Sequence, residues 1–175
     1  RDAQEPRGLG DVYKRQITEL NADFVGNAII KNNLTADWNF AEGGAVNSYP
    51  NIDNINGNFI GNYIEASSDS QRIEAEGGAF HGNASNIRGH FVNNYIKLTS
   101  NTGSLYGDGG AIRFSMADNA NIVGDFIGNF VELESASEGQ VVACGGAVWG
   151  SSVTVTGDFI NNHVSVSYTH LTLPT

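Results

Sequence analysis

The chain has 175 residues, enough for one domain with a real core, and its 22 glycines against three prolines fit many tight turns rather than collagen or a proline-rich linker. A net charge of −10 excludes a generic nucleic-acid-binding surface, which needs clustered Lys and Arg. No apolar run is long enough to span a bilayer, an aromatic content of 10% argues against disorder, and the single cysteine, Cys144, excludes an internal disulfide framework or a cysteine metal cluster.

Residues 1–16 (RDAQEPRGLGDVYKRQ) share no motif with the rest of the chain and read as a non-native tail. Four of the nine basic residues lie in that stretch, so the remainder is more acidic still. From Ile17 to Ser165 two short tags alternate. One is Phe-x-x-Asn: Phe24–Asn27, Phe59–Asn62, Phe91–Asn94, Phe126–Asn129 and Phe159–Asn162. The other is Gly-Gly-Ala followed by an apolar residue: Gly43 and Gly44, Gly77 and Gly78, Gly109 and Gly110, and Gly145 and Gly146 open its four copies. Successive Phe residues are 35, 32, 35 and 33 positions apart. A period in this range is the signature of a solenoid.

Within each unit the first element is a strand leading to Phe. Four positions before each Phe stand Leu20, Ile55, Ile87, Ile122 and Val155, and two before it stand Ala22, Gly57, Gly89, Gly124 and Gly157. This is the period-2 alternation of a half-buried strand. Phe and Asn are three apart, an odd offset, so both point inward only if the chain bends between them. Gly26, Gly61, Asn93, Gly128 and Asn161 occupy that bend and tolerate unusual backbone angles. After Asn the alternation resumes with Ile29, Ile64, Ile96, Val131 and Val164; Ala66, Leu98, Leu133 and Val166 continue it, while Lys31 breaks it in the first unit. A third strand is expected at the Gly-Gly-Ala tag. The segments between the post-Asn strand and the next Gly-Gly, such as Ala66–Glu76 and Ser135–Gln140, read as surface loops in which length variation concentrates. The last stretch, Val166–Thr175 (VSYTHLTLPT), reads as a second non-native tail.

Three short strands per coil of about 34 residues describe an all-β fold, a parallel β-helix of four to five coils over residues 17–165. Coils should stack about 4.8 Å apart, so that Phe fills the interior and Asn amides hydrogen-bond from coil to coil.

Alternating FxxN and GGA[ILV] tags resemble the repeats of the chlamydial polymorphic membrane proteins and of related bacterial adhesin-like surface proteins, over essentially the whole of 17–165. Phe80 departs from the aliphatic residue usual after Gly-Gly-Ala. The resemblance implies a right-handed β-helical passenger of an autotransporter-like protein, displayed at the bacterial cell surface and used in adhesion. Its partner would be a protein or glycan of a host or neighbouring cell. The two end segments resemble translated sequencing-adapter read-through, so the chain reads as an internal fragment of a longer protein.

Two columns carry potential chemistry. One position before each Phe stand Asp23, Asn58, His90, Asp125 and Asp158. Stacked in register, Asp125 and Asp158 would offer paired carboxylates to a cation, or an acid pair of the glycosidase type, or else a plain solvated row. Three after each Asn stand Ile30, Glu65, Lys97, Glu132 and Ser165, expected to form alternating-sign pairs between coils. The histidines show no metal-ligand spacing, and neither a phosphate loop nor a nucleophile elbow appears. No catalytic residue and no cofactor is therefore assigned, and the chain reads as non-enzymatic. A fragment of a β-helical polysaccharide lyase or hydrolase and a purely structural stalk are the alternatives.

Overall fold

The computed structural model describes residues 17–168 except 33, 35–37, 70, 116–118 and 137–138. The tail predicted at 1–16 and most of that at 166–175 lie outside the described residues. Every regular element among the described residues is a β-strand, and every strand pairing is parallel. The chain is a β-solenoid in which Phe24, Phe59, Phe91, Phe126 and Phe159 sit in register, one per coil. Their rings stack face to face at centroid distances of 4.7–4.9 Å, the spacing of neighbouring strands.

Each coil contributes to four sheets, one more than the three strands expected. A wide sheet takes the strand after each Gly-Gly-Ala tag together with the strand that leads to Phe: Val46–Asn56 and Phe80–Arg88 run through both positions. The later coils break it into Ile112–Phe114 with Ala120–Val123, and Val148–Trp149 with Val153–Thr156. Phe does not end that strand; it opens a two-residue strand of its own (Phe59–Ile60, for example) in a narrow second sheet. The third sheet holds the post-Asn strands Ala28–Lys31, Tyr63–Ser68, Tyr95–Ser100, Phe130–Ser135 and His163–Tyr168. The last of these carries the stack three residues beyond the predicted limit at Ser165, with Val166 opposite Leu133.

The fourth sheet, here the pre-Gly sheet, consists of Trp38–Glu42, Arg72–Glu76, Leu105–Asp108 and Val141–Cys144. Its strand Arg72–Glu76 takes five of the eleven residues read as a loop at Ala66–Glu76, and the end of Tyr63–Ser68 in the third sheet takes three more. The strand has two inward columns: Asn39, Ile73, Leu105 and Val141 give one apolar position per coil after the first, while Ala41, Ala75, Gly107 and Ala143 are small, so the period-2 alternation is weak and escapes detection. At Gly107 the space is tightest: a Cβ there would lie 2.8 Å from Val131 Cγ1. Length variation is also displaced from where it was expected. From each Asn to the next Gly-Gly the chain runs 16, 15, 15 and 16 residues, whereas from each Gly-Gly to the next Phe it runs 16, 14, 17 and 14. The extra residues are absorbed by the wide sheet, as the register shift between Ser48 and Ile52 in one coil and the break after Phe114 in another.

The bend after Phe is built as expected. Gly26, Gly61, Asn93, Gly128 and Asn161 all have φ between 54° and 64°. The turn points the next Asn inward, where Asn62, Asn94 and Asn129 are fully buried. Each amide oxygen accepts from both the backbone N–H and the side-chain NH2 of the Asn one coil earlier. For Asn94 Oδ1 those donors are Asn62 N and Nδ2, both at 2.9 Å. Its own Nδ2 donates to the Phe59 carbonyl at 2.8 Å and to Asn129 Oδ1 at 3.0 Å. Groups that the buried turn would leave unpaired are thereby satisfied from coil to coil.

The two tags meet across the coil. A Cβ on Gly78 would lie 2.6 Å from the carbonyl oxygen of Tyr95, the residue after Asn94, and 2.1 Å from that of Gly110 in the next coil. Gly44 faces Tyr63, Gly110 faces Phe130 and Gly146 faces His163 in the same way. Only a residue without a side chain permits that approach. The contact pinches each coil at a waist and divides the interior into two cores. One, from Gly-Gly-Ala to Asn, contains Ile55, Phe59, Phe80, Phe91, Ile122 and Phe126. The other, from Asn to the next Gly-Gly, contains Ile64, Ile73, Ile96, Leu98, Leu105 and Leu133.

Candidate functional site

With Phe and Asn inside and the Gly-Gly pairs at the waist, side chains available for recognition lie on the outward columns. The column before Phe is a hydrogen-bonding ladder. Asp23 Oδ1 accepts from Asn58 N at 2.7 Å, Asn58 Oδ1 from His90 N at 2.9 Å, His90 Nδ1 from Asp125 N at 3.2 Å, and Asp125 Oδ1 from Asp158 N at 2.9 Å. The other oxygen of Asp125 lies 3.2 Å from His90 Nδ1. The Asp125–Asp158 pair proposed from sequence is thus brought together, with one member binding the backbone of the other. In the second column Lys97 pairs with Glu132 at 3.3 Å, while Glu65 accepts from the Tyr95 hydroxyl at 2.7 Å. That hydroxyl is pushed above the ordinary tyrosine range by burial, reinforced by its bond to Glu65 and that carboxylate's charge.

A second array lies on the pre-Gly sheet, where sequence reading placed loops. Strand register sets Trp38 beside Arg72 and aligns Phe40, Glu74 and Tyr106 in successive coils. Trp38 and Phe40 are 56% and 42% exposed, with ring centroids 5.0 Å apart. The Arg72 guanidinium is held between two aromatic faces, 4.8 Å from the Trp38 ring and 4.1 Å from that of Tyr106. Glu74 binds Arg72 at 2.9 Å and accepts from Trp38 Nε1 at 3.4 Å. The Tyr106 hydroxyl donates to Gln140 at 2.7 Å. The result is a flat, outward-facing patch of indole, phenyl, phenol and guanidinium groups, its members held by one another. Such groups dominate binding energy at protein surfaces.

The third array flanks the Gly-Gly-Ala tags. The residue directly before each tag forms the column Glu42, Glu76, Asp108 and Cys144. The column Asn47, His81, Arg113 and Trp149 stands just beyond the apolar residue that closes each tag. The tight turn brings the columns face to face. His81 Nε2 lies 3.0 Å from Glu76 Oε2, and Arg113 Nη1 lies 3.2 Å from that same oxygen. The guanidinium in turn rests over the Trp149 ring at 4.9 Å. Burial raises the Asp108 carboxyl above the usual carboxylate range and the Glu76 charge adds to this, while a hydrogen bond from Cys144 and the charge of Arg113 oppose it. Cys144 is raised by burial and by its neighbour Asp108. The signal that could have found this array was plain in outline, since polar residues flank nearly every tag, but their chemistry changes at each repeat.

No protein-family model, curated protein or solved structure matches the chain. Its function must be read from its own chemistry. No helix among the described residues is long and apolar enough to cross a membrane.

Proposed function

We propose that the chain is a non-enzymatic segment of a cell-surface or secreted β-helical passenger, acting in adhesion or surface presentation through its outward sheet faces. The observation that carries this reading is the Trp38–Phe40–Arg72–Tyr106 patch: exposed aromatics around a stacked arginine on a flat sheet, in place before any partner arrives. Preorganised aromatic and arginine groups bind with little ordering cost. The fitting partner is a protein or glycan of a host or neighbouring cell, and the resemblance of the tags to those of surface-displayed passengers supports an encounter outside the cell. Retention of chain-coated beads on cultured epithelial cells and on a glycan array tests it. Trp38→Ala combined with Tyr106→Ala should lower binding about tenfold or more. Unchanged binding by a variant with unaltered melting would overturn the assignment of the patch.

The alternative, a fragment of a β-helical carbohydrate-active enzyme, draws on the stacked carboxylates Glu42, Glu76 and Asp108, with Arg113 paired to Glu76. It requires polysaccharide turnover that Glu76→Gln abolishes; no turnover across a panel of acidic polysaccharides removes it.

A further inference from the structure

Among the described residues, one donor atom each from Glu42, Glu76 and His81 fall within 4.8 Å of one another. Acidic clusters are common on surfaces, but this one surrounds a buried nitrogen with an unmet need. The His81 side chain is only 9% exposed, and its Nδ1 has no hydrogen-bond partner. That nitrogen lies 3.5 Å from Glu42 Oε2. The opposite ring nitrogen has acceptors beside it: Nε2 lies 3.0 Å from Glu76 Oε2 and 2.9 Å from Ser115 Oγ, while Arg113 Nη1, 3.2 Å from the ring nitrogen, also lies 3.2 Å from Glu76 Oε2 and donates there. A buried polar atom without a partner calls for an ion or a water to satisfy it.

The dimensions select an ion. Two donors each about 2.0–2.1 Å from a tetrahedral zinc are about 3.4 Å apart, close to the observed gap between Nδ1 and Glu42. We propose that Glu42 and His81, supported by Glu76, form a binding site for a divalent transition cation of the Zn²⁺ class at the Gly-Gly edge of the first two coils. His81 binds through Nδ1 and Glu42 through Oε2. Glu76 accepts the Nε2 proton and so fixes the ring in the tautomer whose Nδ1 lone pair faces the ion, the usual task of a carboxylate behind a metal-binding histidine. Arg113 stays on the Nε2 side, neutralising Glu76 away from the ion. Asn47, whose amide donates to Glu42 Oε2 at 2.9 Å, orients that carboxylate. The Glu42 side chain is 37% exposed, which leaves an entry path and room for water in the remaining positions. An imidazole in the set disfavours Ca²⁺ and Mg²⁺, which take oxygen ligands.

The test uses the full chain stripped with chelator and titrated calorimetrically with zinc chloride. The proposal expects one equivalent bound through this site, with Glu42→Gln and His81→Ala each weakening it at least tenfold and His90→Ala, in the connection just before Phe91, leaving it unchanged. Because His81 is buried, its loss can weaken the fold; Glu42→Gln, at a half-exposed position, carries the same test. The ¹⁵N resonance of His81 Nδ1 should shift on zinc addition in the unaltered chain. Absence of zinc binding, or binding that Glu42→Gln and His81→Ala both retain, or a His81 resonance that does not move, would each overturn the site.

Discussion

The two cores of a coil solve the same problem in opposite ways. Between Gly-Gly-Ala and Asn, large side chains recur at fixed places while the chain length varies by three residues, absorbed in bulges and breaks of the wide sheet. Between Asn and the next Gly-Gly the length varies by one residue, while the outward side chains differ from coil to coil. The first core is held by what fills it and the second by how long its walls are. Function, as proposed, gathers on the walls of the second and at the waist between them.

Substitutions can break that contrast. Phe91→Ala, at the centre of the stacked column, should cost about 3–5 kcal/mol, measured by denaturant unfolding; a loss below about 1 kcal/mol would mean the column does not carry the first core. Leu98→Ala in the second core should cost about 3 kcal/mol. Asn94→Ala leaves the Phe59 carbonyl and the Asn62 amide short of partners inside the waist and should cost about 2 kcal/mol. If Asn94→Ala proves harmless, water has replaced the ladder.

Smaller effects sharpen the comparison. A carboxyl raised in the folded state contributes stability that is present below its unfolded pKa and lost as pH rises through the folded one. Asp108 is such a group. Asp108→Asn should therefore gain stability relative to the parent chain as pH rises from about 4 toward neutrality, and equal slopes for the two proteins would refute this. The smallest change is expected of Glu132→Gln, which removes the half-exposed partner of Lys97: under about 1 kcal/mol, vanishing in high salt.

What the sequence made legible were positions where geometry accepts few residue types. Phe must fill a space, Asn must bridge coils, and the bend demands left-handed backbone, so these recur and can be counted. The pre-Gly sheet was hidden because only one inward position of each strand is large (Ile73, Leu105 and Val141), and the next, Ala41, Ala75, Gly107 and Ala143, is too small to complete an alternation. The aromatic patch was hidden with it. Glu42 and His81 were hidden for another reason. They are 39 residues apart and become neighbours only because a tight turn and one step of the stack act together.

The row Asn47, His81, Arg113 and Trp149 places an amide, an imidazole, a guanidinium and an indole at equivalent points of successive coils on one unchanged backbone. The backbone therefore accepts different chemistry at each rung, but adjacent rungs touch, Arg113 meeting both His81 and Trp149, so a change at one is felt at the next. Changes of vocabulary along this edge therefore come in neighbouring pairs, while the grammar that folds the chain stays intact.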